Sequence, residues 1–336
     1  MSYSERTADV AEFLRIPSVE FGNSRNSQWI RYGAAALTLL SFAIVLLFSS
    51  SEIIAAEPIS AGDARESGNI RLTSDGRLKM DPVCIAGDEL VFTVQETAVQ
   101  TTLIKLRLTD GKQERLYPKA TTNEFEAAFS PDGRFCAFVQ NKGNLSLKLV
   151  IRDRESGKDA EFDPGGGFAG MRHPSIAPGA RGVVISMPGG GGQQIVALSI
   201  DGKRRQDLTQ GDSLNCWPAW SPDGMQIAFG SSRDGDFELY LMNADGGGIR
   251  RLTDSPGRDM RPAWSPDGKR LAFTSTRDGN AEIYVTDIAN GGLTRVTNHS
   301  EQDDYPTWHP DGKRLVVVSE RAGKFDLYLL DVPVVQ

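Results

Sequence analysis

The chain is 336 residues long, 39% hydrophobic and 24% charged, a composition that suits a folded domain with a sizeable core and excludes a wholly disordered one. Its formal net charge of -7 argues against the basic face that a protein needs to displace counterions from phosphates, so no nucleic-acid partner is expected. Three cysteines, Cys84, Cys136 and Cys216, are odd in number, far apart and without a CxxC pair, which excludes a complete disulfide framework.

The first predicted element is an apolar helix. Residues 33–48, "GAAALTLLSFAIVLLF", carry no charge, with Arg25 and Arg31 before them and no Lys or Arg after them until Arg65. The positive-inside rule keeps the N-terminus in the cytoplasm and exports the rest of the chain. The run falls short of the roughly 20 residues of a comfortable span, and Ala55 and Ala56 in "SSSEIIAAEP" suit a signal peptidase. The tail ahead of it is long for a signal peptide, which favours an anchor. The expected division is a cytoplasmic tail at 1–32, a transmembrane anchor or signal-peptide core at 33–50, a linker at 51–67 and a repeat domain at 68–336. That domain is expected to be periplasmic or otherwise extracytoplasmic, tethered to the inner membrane.

The repeats come next. "WPAWSPDGMQIAFGSSRDGDFELYLMN", "RPAWSPDGKRLAFTSTRDGNAEIYVTD" and "YPTWHPDGKRLVVVSERAGKFDLYLLD" place Trp220, Trp264 and Trp308 44 residues apart. Earlier and more worn copies surround Ile176, Phe129 and Asp81, giving six. Each copy holds four short strand candidates, such as "RPAW", "KRLAFTS", "AEIYVTD" and "GLTRVT", rich in β-branched and aromatic residues. Ser265-Pro266-Asp267-Gly268 between the first two is a turn with a mechanism: Pro presets φ, Asp bonds its own backbone and Gly takes positive φ. Four antiparallel strands at this period predict an all-β, six-bladed β-propeller. The Trp ending each first strand is expected to pack between blades. The last copy lacks an "RLT" strand, and "GNIRLTSDGRLKMDPV" near residue 70 supplies one with no blade before it, so an N-terminal strand should close the ring and leave no open edge.

The "PAWSPDGKRLAF", "SxRDGxxEIYVMD" and "GG..RLT" pattern resembles the propeller of TolB and its relatives over about residues 68–333. The resemblance implies a periplasmic propeller that binds protein partners, notably a Pal-like lipoprotein. The α/β domain that precedes the propeller in TolB is not expected among these residues, where an apolar helix and a tail are expected ahead of the repeats.

Chemistry is sparse. No GxSxG nucleophile elbow occurs, and His173, His299 and His309 form neither HExxH nor a close pair, so no zinc site of the usual kinds is expected. "GGGFAG" at 165–170 and "PGGGG" at 188–192 are loop glycines with no helix after them to hold a phosphate. The loops before each "PAW" should gather at one channel mouth, and the candidate partner-binding residues there are His173, Asn215, Asp259, Arg261, Asp303, Asp304 and Tyr305. The residue that precedes or replaces the proline varies from copy to copy: Asp81, Glu126, His173, Trp217, Arg261 and Tyr305. The reading is a non-enzymatic scaffold at the cell envelope, binding a protein or peptide without a cofactor. The alternative is a lactonase-like, calcium-dependent hydrolase using the carboxylates in the channel.

Overall fold

The computed structural model describes residues 69–85, 88–141, 146–165 and 170–333, together with the backbone of a short strand at Arg65–Glu66. The expected anchor at 33–50, the tail before it and most of the linker lie outside the described residues. Among the described residues no helix is long and apolar enough to cross a membrane.

Six antiparallel sheets form six blades. Their innermost strands are Lys79–Ile85, Asn123–Phe129, Arg172–Ile176, Asn215–Trp220, Asp259–Trp264 and Asp303–Trp308. The second and third strands, such as Arg270–Ser275 and Glu282–Asp287, are almost continuously buried. They are buried on both sides because each blade is covered on both faces by its neighbours. Burial of that Leu, Val, Phe and Tyr surface, at about 25 cal/mol per Å² of apolar area, is what holds the ring together. The tryptophans sit as expected: Trp264 and Trp308 each donate Nε1–H to a carbonyl of the preceding blade, at Ala219 (3.0 Å) and Ala263 (3.1 Å).

The turn after each inner strand follows its sequence. Ser265 Oγ donates to Asp267 (2.6 Å) and accepts from the Arg270 amide (2.9 Å), while Gly268 stands at φ 69°. In the third blade the glycines of 188–192 serve close approach. A Cβ on Gly192 would lie 2.3 Å from the Ser213 carbonyl oxygen, so this hairpin packs directly on the segment leading to the fourth blade.

Closure of the ring is also as expected. Asn69–Arg71 pairs antiparallel with Lys324–Asp331, Ile70 opposite Leu329 and Arg71 opposite Tyr328, completing the sixth blade. The "RLT" signature explains why this strand fits. In the fifth blade the buried Glu282 accepts from Thr297 Oγ1 (2.5 Å), Arg295 Nη2 (3.3 Å) and the His299 amide (2.7 Å). In the fourth, Glu238 takes the same bonds from Thr253, Arg251 and the Ser255 amide. In the sixth, Asp326 receives Thr73 (2.7 Å), Arg71 (2.6 Å) and the Gly76 amide (3.3 Å), all from the N-terminal end. The fully buried Lys79 adds a fourth contact to Asp326 at 3.1 Å and also binds Asp75. The clamp is one Arg and one Thr on a buried carboxylate, and the seam reproduces it with residues about 250 positions away in sequence.

Candidate functional site

Every inner strand breaks its register near its middle. The shift falls between Met80 and Val83, Phe125 and Ala128, Arg172 and Ser175, Cys216 and Ala219, Met260 and Ala263, and Asp304 and Thr307. At each bulge one non-glycine residue has a left-handed backbone: Asp81, Glu126, His173, Trp217, Arg261 and Tyr305, all with φ between 50° and 57°. Such a conformation is costly for a residue with a Cβ. Its sixfold repetition makes it a device of the architecture: the bulge re-aims one side chain per blade toward the axis.

These six residues lie at one end of a central cavity of about 620 Å³, whose wall continues along the inner strands to the turn prolines Pro131, Pro222, Pro266 and Pro310. The cavity thus extends away from the loops that precede the inner strands. His173, Arg261 and Tyr305, expected at the channel mouth, line it, and Asp304 stands beside them. Asn215, Asp259 and Asp303 do not line it. They are buried at the strand starts, each holding the Arg of its own blade's hairpin: Asn215 with Arg233 (3.0 Å) and Ser231 (2.8 Å), Asp259 with Arg277 (2.8 Å), Asp303 with Arg321 (3.0 Å) and Ser319. Those arginines in turn stack on Tyr240, Tyr284 and Tyr328. Asp81, Glu126 and Trp217, which the sequence places in the same variable register at the proline, also line the cavity. Arg172 carried no such signal.

The ring of six is chemically two-sided. On the side of blades four to six, the Arg261 guanidinium lies over the Tyr305 ring at 4.2 Å and the Trp217 ring at 5.2 Å, 3.3 Å from both Asp304 and the Tyr305 hydroxyl. Arg261 Nε and Trp217 Nε1 are buried and find no hydrogen-bond partner among the described residues, and an unpaired buried donor costs about 1–3 kcal/mol until an acceptor reaches it. The side of blades one to three is acidic. Arg172 holds one oxygen of the buried Glu126, and the His173 amide donates to the other at 2.6 Å. Burial works against the charged carboxylate, yet Arg172 keeps Glu126 below the usual range. Asp81 meets no ion-pair partner among the described residues, and burial beside the Glu126 charge, only partly offset by Arg172 and Arg261, pushes it up to about 7. Burial lowers His173 to about 3, so its ring is neutral at pH 7.

Residues 205–335 match the TolB beta propeller domain. The propeller is TolB-like. A protein TolB homolog of Chlorobium chlorochromatii is 32% identical over 109 residues, which is 32% of this chain and 23% of that relative, well under half its length. A structure assigned as TolB from Agrobacterium tumefaciens superposes with a TM-score of 0.56 at 26% identity, over 66% of this chain and 81% of that one. The TolB-like ring also shares its fold with an oligogalacturonate lyase of Vibrio parahaemolyticus, with a TM-score of 0.54 and 15% identity over 82% of this chain and 96% of that one. The fold therefore accommodates a named enzyme as well as TolB.

Proposed function

We propose that the protein is a non-enzymatic, exported TolB-like propeller that binds a protein or peptide segment in its central cavity, at the cell envelope. The observation that carries this reading is the bulge ring: six positions with one backbone geometry and six different side chains, all facing one cavity of about 620 Å³. A repeat that keeps one backbone geometry at these positions while changing the side chain that meets the cavity suits recognition on a rigid frame. His173, Arg261, Asp304 and Tyr305 contact the partner. Asn215, Asp259 and Asp303 act at one remove, fixing the arginines of the hairpin loops. The unpartnered donors of Arg261 and Trp217 await acceptors, such as carbonyls or a carboxylate of the bound segment. The resemblance to TolB makes a Pal-like lipoprotein the first partner to try.

Photocrosslinkers placed at 217 and 305 in living cells test this. The expected result is a discrete crosslinked envelope protein from both positions, lost in Arg261→Glu and absent when the crosslinker replaces Val99 on an exposed loop tip. The reading is overturned if no protein is captured at 217 or 305 and the purified chain instead shows a hydrolytic or eliminative activity that Arg261→Glu abolishes.

A further inference from the structure

On the acidic side of the ring, three metal-ligating side chains meet. One oxygen from each of Asp81 and Glu126 and a ring nitrogen of His173 lie within 4.8 Å of one another. The three residues occupy equivalent bulges on three successive blades, so the backbone delivers them to one point. Ser186 flanks the imidazole on its Nδ1 side. Ser186 Oγ donates its proton to the Arg172 carbonyl at 3.1 Å and lies 3.4 Å from His173 Nδ1. With the hydroxyl proton on that carbonyl, Ser186 accepts from Nδ1–H in the tautomer that leaves the Nε2 lone pair, 3.7 Å from Glu126 Oε1, free for a metal ion.

No neighbouring cation resolves this convergence. Both contacting nitrogens of Arg172 go to Glu126, Arg261 is taken up by Asp304 and Tyr305, and no basic nitrogen among the described residues lies within 4.0 Å of the Asp81 carboxylate. The supporting groups are those of a metal site. Arg172 and the His173 amide orient Glu126, and Ser186 fixes the imidazole, as outer-shell partners do around bound ions.

We propose that Asp81, Glu126 and His173 form a site for a divalent first-row transition-metal ion at the end of the cavity. The nitrogen ligand selects against Ca2+ and Mg2+, which take oxygen ligands, and two carboxylates with one imidazole suit Mn2+ or Zn2+. Three protein ligands leave coordination positions free for a group entering from the cavity, which would let the ion fix an acidic side chain or carbonyl of a bound segment. The site is independent of the partner reading, because its test uses ions alone.

The full-length chain, stripped with a chelator, is titrated calorimetrically with Mn2+, Zn2+ and Ca2+ separately, and Mn2+ binding is also followed by quenching of tryptophan fluorescence. Trp217, 5.6 Å from His173 between ring centroids, is the reporter. One equivalent of Mn2+ or Zn2+ should bind, with affinity at least about tenfold weaker in Asp81→Asn and in His173→Gln, and Trp217→Phe should remove most of the Mn2+ quench. Asp81 accepts no hydrogen bond from the described residues, so Asp81→Asn should melt like the parent without metal, which separates lost binding from lost folding. The proposal fails if neither Mn2+ nor Zn2+ binds at about 1 mM, if both variants bind like the parent, or if Ca2+ binds as tightly as Mn2+.

Discussion

Replacing Asp326 by alanine should open the ring at its seam. Its side chain is 2% exposed and faces Lys79, which is 0% exposed, at 3.1 Å, while also accepting from Thr73, Arg71 and the Gly76 amide. Removing one partner of a buried ion pair costs about 3–5 kcal/mol, because the other charge is left without compensation. Lys79 keeps Asp75, which places the expected loss near the lower end, at about 3 kcal/mol. For a domain of this size each kcal/mol shifts Tm by about 2–4 °C, so melting should fall by about 6–12 °C. Differential scanning calorimetry measures the shift, and limited trypsin digestion near Arg71 and Arg77 reports whether the closing strand has come free. Lys79→Met combined with Asp326→Leu should recover only the part due to the uncompensated lysine charge, because the Thr73 hydroxyl and the Gly76 amide still lack their acceptor. A melt within about 2 °C of the parent, with the closing strand still protected, would refute the account of the seam.

In the fifth blade, Glu282→Ala should cost about 3 kcal/mol and Thr297→Val about 1 kcal/mol, since the first removes the hub and the second one spoke; equal losses by urea denaturation would show that the carboxylate is not the hub. Trp264→Phe should cost about 1 kcal/mol more than Trp220→Phe, because Trp264 Nε1 bonds Ala219 whereas Trp220 Nε1 is buried without a partner. Burial pushes the thiols of Cys84, Cys136 and Cys216 up to about 12. At pH 8 the folded chain should therefore alkylate with iodoacetamide about a thousandfold more slowly than the unfolded chain, whose thiols ionise near 8.5; comparable rates would contradict this. Gly192→Ala should be strongly destabilising, because its Cβ would meet the Ser213 carbonyl oxygen at 2.3 Å; unchanged thermal stability would show that the hairpin can move away.

What could be read in the sequence was whatever local chemistry writes directly. The period, the Ser-Pro-Asp-Gly turns and the detached "RLT" strand follow from residue types at fixed spacing, and they led to six blades and the closure. Asn215, Asp259 and Asp303 were harder to place, because a polar residue at the start of an inner strand reads the same whether it faces the channel or binds its own blade. Their pairing with Ser231, Arg277 and Ser319 depends on contacts 16 to 18 residues away. The bulge was hidden for a different reason: left-handed backbone is normally announced by glycine, and here it falls on Trp, Tyr, Arg, His, Glu and Asp. Arg172 is set by its neighbour's bulge and by Glu126 of the previous blade, which no periodicity reveals.

Those six left-handed residues also bound the worth of their own side chains. Glycine would hold the same dihedral angles without the steric cost of about 1–2 kcal/mol that a Cβ brings, and none of the six is glycine. Around the ring the strain sums to about 6–12 kcal/mol, as large as the net stability of many domains. The packing of the blades has to carry that load. A ligand that draws these side chains into firm contacts would relieve part of it, so tight binding should be accompanied by a stiffer and more heat-resistant ring.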